Sequence, residues 1–238
     1  MRINLGPCYF VNLSENKKKK IINFIISNLY KNKTKFLLIS PNVDLDDYNL
    51  VYNNKNNLFI FSGNRWESIY LNLSNGIYNL KKNLKNSLRR DIIRKNRSKK
   101  FNLRRILSEK EFSEFVQNYT AQKKEKKFKG ISKDILKKLF KNNNLIIVNA
   151  FFKNKIVSSV CIALHGSTAT YLVGLNFDKT NSANDLLLWK SIIFLKKNKF
   201  KYFDLGGIDF ISNRNVSIFK SNFGGSHYKL AGSKFLII

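Results

Sequence analysis

Three apolar runs joined by very short connections constrain this chain most. Residues 145–152, 156–164 and 169–176 are rich in Ile, Val, Leu and Ala, and each has the length of a strand rather than a helix. Lys153-Asn154-Lys155 joins the first pair and His165-Gly166-Ser167 the second. Joins of this length connect antiparallel neighbours, because parallel pairing needs a crossover of a dozen or more residues. The centre of the fold is therefore expected to be an antiparallel meander with other elements packed on its faces.

The flanking sequence alternates between the two periods. Upstream, a helix over 14–30 starts at Ser14, a buried strand over 35–40 stops at Pro41, and strands over 57–62 and 66–73 flank a turn at Gly63-Asn64. Ser74 opens a basic helix over 74–100, with Leu80, Leu84, Leu88 and Ile92 in one stripe beneath Lys and Arg. A strand over 102–107 and helices over 109–119 and 133–141 lead into the meander. After it come a helix over 184–198, a strand over 201–205 ending at Gly206-Gly207, a short helix over 216–221 and a strand over 227–237.

Composition narrows the classes. With 238 residues, 43% of them hydrophobic and 13% aromatic, the chain can build a core, which excludes wholesale disorder. Its 2 prolines and 11 glycines exclude collagen-like and low-complexity architectures. Cys8 and Cys161 are too few for a disulfide framework or a zinc cage, and their apolar flanks read as strand interior, so both are expected to be inert thiols of a reducing compartment. No His or Cys pair has metal-ligand spacing. The first residues lack the layout of a signal peptide. The longest apolar stretches, such as 145–152 and 186–195, fall short of the roughly 20 residues that span a bilayer. A cytoplasmic protein is expected, touching the anionic inner membrane face through its basic surface.

Charge points to the partners. Lys+Arg number 44 against 15 Asp+Glu, a formal +29, which favours polyanions such as nucleic acid, nucleotide diphosphates or lipid head groups. An AT-rich coding bias accounts for surplus Lys and Asn on solvated faces, but not for the scarcity of acids. Arg89, Arg90, Arg94 and Arg97 stand out, because Arg binds phosphate bidentately. They mark an anion-binding ridge, or else the solvated face of an amphipathic helix.

The order strand, two helices, three antiparallel strands, helix, strand, helix, strand is similar to that of the GNAT acyltransferase fold. In that fold the fourth and fifth strands splay apart around the active site, and here they would be 169–176 and 201–205. The fold class expected is thus α/β in the α+β sense: a GNAT-like, mixed and mostly antiparallel sheet flanked by helices. A GNAT that uses acetyl-CoA holds the pyrophosphate at a glycine-rich helix start. The matching segment, 176–185, has no Gly or Arg and carries Asp178 and Asp185, which would repel it. No cofactor is expected, and acetyl-CoA least of all.

Further motifs resemble those of the Fem family, aminoacyl-tRNA-dependent transferases that build peptidoglycan cross-bridges. Trp66-Glu67-Ser68-Ile69-Tyr70-Leu71-Asn72-Leu73-Ser74, followed by Leu80, Leu84, Arg89, Arg90, Ile93, Arg94 and Lys95, resembles a family strand and Leu-spaced helix, with Asn72 where the family usually has Asp. Tyr202-Phe203-Asp204-Leu205-Gly206-Gly207-Ile208 resembles its Tyr-Asp-Leu-Gly-Gly-Ile strand end, and 218–225 its Phe-Lys-x-x-Phe-Gly-Gly signature. Gly130-Ile131-Ser132 fits a loop before its second helix. Family members have two tandem GNAT-like halves. Here residues 1–74 resemble only the latter part of the first, and 75–238 the second.

The resemblance implies transfer of an aminoacyl group from aminoacyl-tRNA, acting as co-substrate, to an amine of a lipid- or nucleotide-linked cell-wall precursor. It implies a catalytic role for Lys220, with Phe219, Phe223 and Gly224 beside it at the tRNA acceptor end. Asp204 would orient or deprotonate the amine. Tyr171, Gly206 and Gly207 would line the acceptor pocket, and Arg89, Arg90 and Arg94 would meet phosphates. His165 and His227 read as structural or solvated. An alternative is a GNAT-like acyltransferase acting on a nucleotide-linked sugar of surface polysaccharide. A third reading, from another class, is a non-catalytic module that binds nucleic acid or anionic membrane.

Overall fold

A computed structural model of the chain describes residues 2–4, 14–31, 36–40, 59–61, 65–128, 130–230, 232 and 234–237. The expectations for Cys8, the Gly6-Pro7 loop and the Gly63-Asn64 turn lie outside these residues. The chain forms two compact units, one of Met1–Ser68 with His227–Ile238 and one of Ile69–Ser226. This division differs from a break after residue 74, and strand pairing is the reason.

The first unit contains β1 (Arg2–Asn4), α1 (Glu15–Lys31), β2 (Phe36–Ser40), β3 (Phe59–Phe61) and, from the far end of the chain, the last strand (Lys234–Ile237). That strand lies between β2 and β3 and is antiparallel to both, with Phe235 opposite Leu38 on one side and Ile60 on the other. The expected strand over 227–237 is in fact two: Ser226–Lys229 and Lys234–Ile237. Between them Gly232 takes a φ of +78°, which an L side chain rarely adopts.

The second unit is built on a mixed sheet. Its elements in chain order are β4 (Glu67–Asn72), α2 (Ile77–Lys82), α3 (Asn86–Ser98), β5 (Asn102–Arg105), α4 (Glu109–Glu125), α5 (Lys133–Lys141), β6 (Leu145–Phe152), β7 (Lys155–His165), β8 (Thr168–Asn176), α6 (Asn184–Lys197), β9 (Tyr202–Asp204), α7 (Arg214–Ser221) and β10 (Ser226–Lys229), the terminal strand being β11. β4 and β10 straddle the unit boundary. The order across the seven-stranded sheet is β10-β4-β9-β8-β7-β6-β5. The meander β6-β7-β8 is antiparallel as its short joins require. β5 with β6 and β4 with β9 are antiparallel too, whereas β8 with β9 is parallel. The expected α+β class holds: a mostly antiparallel sheet flanked by helices.

Local chemistry explains several ends. Ser108 caps α4 in a reciprocal box: its Oγ accepts the Glu111 N–H while the Glu111 carboxylate accepts the Ser108 N–H. The Ser108 hydroxyl, which also donates to the Glu111 carboxylate at 3.0 Å, and the Leu107 and Ser108 N–H groups hold the Glu111 carboxyl below its ordinary value. Ser132 caps α5 by accepting the Ile135 N–H.

The single helix expected over 74–100 is broken into α2 and α3. At the break Lys85 donates its N–H to the Asn222 carbonyl at 2.9 Å, and Leu84 still buries its side chain. The apolar stripe therefore continues across a corner.

Two apolar cores cover the sheet faces. One joins Leu80, Leu88 and Ile92 to Leu186, Leu187, Leu188, Leu195 and Phe203, beneath α2, α3 and α6. The other joins Phe112, Phe115, Tyr119 and Leu136 of α4 and α5 to Ile147, Cys161, Val173 and Leu175. Each fully buried side chain of this size contributes about 1.5–3 kcal/mol. Cys161 is a free, wholly buried thiol whose pKa burial pushes up, consistent with an inert core cysteine.

One irregularity matters for function. In β8, Tyr171 pairs with Ile162 and Val173 with Cys161, so Leu172 is an extra residue. Such a bulge reverses the alternation of the strand. Tyr171 therefore joins the core under α6, while Val173 and Leu175 join the opposite one.

Candidate active site at the strand divergence

β8 and β9 run side by side from Thr168 opposite Tyr202 to Thr170 opposite Asp204. There β9 ends, while β8 continues to Asn176. The pairing of the two expected strands therefore stops partway along β8. One lip is the bulged Tyr171, and the other is Asp204-Leu205-Gly206-Gly207.

Gly206 makes the turn away from the sheet. Its φ is +72°, its N–H donates to Asp204 Oδ1 at 2.8 Å, and a Cβ built there would lie 2.6 Å from the Tyr171 carbonyl oxygen. Only glycine meets both conditions. Gly206→Ala is expected to cost about 1–3 kcal/mol from the backbone strain alone, read as a lower denaturation midpoint. An unchanged midpoint would mean the turn is not strained.

α7 delivers Lys220 into this gap. The side chain is 7% exposed, and its Nζ donates to the Gly207 carbonyl at 2.7 Å. Nζ also lies 5.6 Å from the centroid of the Tyr171 ring. Burial lowers the Lys220 pKa to about 8, while the negative charge of Asp204 draws it back up. The group is thus a buried cation at neutral pH with a proton that is easily lost. Burial also pushes the Tyr171 hydroxyl up, so it stays protonated. Its ring packs so closely on Gly174 that a Cβ there would meet Tyr171 Oη at 2.1 Å. Near this contact Asn184, at the start of α6, has a buried Oδ1 with no hydrogen-bond partner among the described residues. No motif pointed to Asn184, because its significance depends on burial.

No protein-family model matches the sequence, and no curated protein is similar to it at the sequence level. Solved structures do match. The crystal structure of FemX superposes with a TM-score of 0.76, covering 100% of this chain and 80% of the other at 12% identity. The fold is Fem-type and GNAT-like. L-PGS from Bacillus licheniformis follows at TM-score 0.59 and 14% identity, with 92% of this chain and 72% of that one covered. A conserved protein of unknown function from Bacteroides thetaiotaomicron gives 0.56 and 13%, with 92% and 75% covered.

On this Fem-type scaffold the remaining expected residues have distinct placements. Phe223 is 2% exposed and meets Phe219 edge-on at 5.4 Å. Its ring belongs to the core and not to an exposed surface at a tRNA acceptor end, which corrects its expected donor-site role. Phe219 is only partly buried. Gly224, also expected at the donor site, instead permits a close approach: with φ +74°, a Cβ would stand 2.7 Å from the Asn83 carbonyl. Lys220 is not a surface residue.

The arginine ridge lies on α3. Arg89 donates to Asn86 Oδ1 at 2.8 Å, and Arg94 pairs with Asp91 at 3.0 Å in solvent. Arg90 is exposed, with no partner among the described residues. Lys95 is different: it meets both carboxylate oxygens of Asp185 at 2.7 and 2.8 Å and fastens α3 to the start of α6. Asp185 is thereby neutralised, and its expected repulsion of a pyrophosphate does not apply. Asp178 accepts the N–H groups of Thr180 and Asn181 and the Asn181 amide, which lower its pKa.

His165 shares a hydrogen bond of 2.7 Å with Thr170 Oγ1 in its turn. Among the described residues no cluster of His, Cys, Asp or Glu could hold a metal ion.

A basic cup between α4 and α5 lies against the Gly130-Ile131-Ser132 loop. It has a volume of about 410 Å³, a wall of Tyr119 and Phe128, and Lys123, Lys124, Lys127 and Lys133 around it. Tyr119 donates to the Ile131 carbonyl at 2.8 Å and Lys123 to that of Gly130 at 2.9 Å. Gln122 donates to the Asn176 carbonyl at 3.0 Å, tying α4 to the end of β8. The sequence signal available was the density of lysine beside Phe128.

Proposed function

We propose that this chain transfers an aminoacyl group from aminoacyl-tRNA to an amine of a lipid- or nucleotide-linked cell-envelope precursor, of the peptidoglycan type. The observation that carries the reading is a buried lysine at the divergence of β8 and β9, on a fold similar to that of FemX.

The reaction asks little of the protein beyond position and charge. The ester of an aminoacyl-tRNA is already activated. The acceptor amine attacks its carbonyl carbon, a tetrahedral oxyanion forms, and the C–O bond breaks as the amide forms. The ribose oxygen leaves with the proton given up by the amine. Lys220 supplies a desolvated positive charge for the oxyanion or the terminal phosphate. Asp204 holds the amine or takes its proton, and the neutral Tyr171 hydroxyl lines the pocket. The cup lysines suit the phosphates of the carrier, and the α3 arginines the tRNA backbone. No helix among the described residues is long and apolar enough to cross a membrane.

Titration with charged tRNA and with acetyl-CoA, at moderate and high salt, tests this reading. Salt-sensitive tRNA binding is expected, and tight acetyl-CoA binding without tRNA binding overturns it. Arg89→Ala with Arg90→Ala is expected to flatten the slope of log affinity against log salt by about 0.7–0.9 for each phosphate that is no longer neutralised. An unchanged slope removes the ridge from the interface.

A further inference from the structure

We propose that the second unit holds a separate binding site for a single-chain anionic amphiphile, an acyl chain that ends in a negative head. The site is a cavity of about 390 Å³ between α6 and the β5-β6-β7 side of the sheet, within the size range of ligand pockets. Ile146, Ile162, Leu187 and Leu195 form its floor, and all are buried. Leu103 and Phe194 form its lips, Phe194 being 39% exposed. It is remote in character from the lysine at the strand divergence, which meets the Gly207 carbonyl, the charge of Asp204 and the Tyr171 ring.

The lining selects the ligand class. Protein interiors hold few voids larger than a water molecule, so an aliphatic space of this size is suited to apolar contents. Ser191 is the one hydroxyl in the wall, and it donates to the Leu187 carbonyl at 2.9 Å. No uncommitted hydroxyl is left in the wall to recognise a sugar or a base. The polar features that remain are two cations, Arg105 and Lys190. Arg105 comes from β5, where it alternates with Arg104. Arg104 pairs instead with Glu111 of α4 at 2.9 Å, while Leu103 and Arg105 line the cavity on the α6 side. Lys190 projects from α6 one turn from Leu187 and Phe194. Both cations are exposed, and neither has an ion-pair partner among the described residues. β5 is the outermost strand of the sheet, which leaves the mouth at an edge. An apolar floor beneath two such cations fits an acyl chain with its anionic head between Arg105 and Lys190.

The test uses laurate below its micellar concentration, titrated into the full chain by calorimetry. Saturable binding to one site is expected. Acetate, which has the head without the chain, should not compete. Dodecyltrimethylammonium, which has the chain with the opposite charge, should not bind. Arg105→Glu with Lys190→Glu should weaken laurate by roughly tenfold or more, the scale of a charge-assisted hydrogen bond, and should admit the cationic amphiphile. Because a basic protein attracts any anion, Lys137→Glu with Lys138→Glu on α5 serves as the control. It changes net charge equally and should leave laurate binding as it was. A steric variant, Leu103→Trp, should block laurate while preserving the melt. The proposal fails if laurate shows no saturable site, if it binds no better than dodecyltrimethylammonium, or if the control pair weakens it as much as the Arg105 and Lys190 pair does.

Discussion

Lys220→Met is expected to lower aminoacyl transfer by roughly 10²–10³-fold, the scale seen when one preorganised oxyanion donor is removed, while the protein melts no lower than the parent at pH 7. The two halves of this result come from the same fact. Lys220 is buried, and its pKa is lowered to about 8 from 10.5 because the charged form is poorly solvated. A folded-state pKa below the unfolded one means that the unfolded chain binds more protons between those values. Parent stability should therefore rise as pH climbs through about 8 toward 10.5, by about 3 kcal/mol in total. Methionine keeps the shape and removes the charge, so the variant should lack this rise. The loss of the bond to the Gly207 carbonyl offsets part of the gain. Catalysis follows the opposite course, because the cation is the working form. Parent turnover should decline above pH 8, and Lys220→Arg should carry that decline upward. A folded methionine variant with full activity would remove Lys220 from the mechanism.

The second large effect concerns Lys95. Lys95→Met is expected to destabilise the second unit by about 3 kcal/mol, because it leaves the Asp185 carboxylate without its cation in a site almost closed to water. For a chain of this size that is a fall of roughly 6–12 °C in melting temperature. Lys95→Met combined with Asp185→Asn should recover most of it, since the amide still accepts the Leu186 N–H that Asp185 accepts now. Additive losses in that cycle would show that the pair is not coupled. The salt dependence of tRNA binding should not change, which separates Lys95 from Arg89 and Arg90 on the same helix.

The meander was legible because connections of three residues leave one pairing available. The strand divergence was legible for a related reason: two glycines after Asp204 mark where β9 must stop. What could not be read depended on partners far away in the chain. Leu80, Leu84 and Leu88 continue one helical stripe, and nothing local breaks it. The break comes from Asn222, which takes the Lys85 N–H, and from the close approach of Gly224 to Asn83. The bulge at Leu172 is likewise invisible in an apolar strand, yet it decides that Tyr171 faces Lys220. Phe219 and Phe223 hinted at a sheltered lysine, but the degree of burial comes from Tyr171 and the Gly206-Gly207 turn on other elements. Lys95 stood among the arginines of a cationic run, and only the position of Asp185, set by the start of α6, tells it apart from them.

The placement of β11 has a consequence for biosynthesis. β2 and β3 do not pair with each other, and the strand between them, β11, follows every element of the larger unit along the chain. A nascent chain can therefore complete the larger unit while the smaller sheet still waits for its central member. Removing the Lys234–Ile237 strand would take no strand from the larger sheet and would open the smaller one along two edges, exposing β2 and β3 as templates for aggregation.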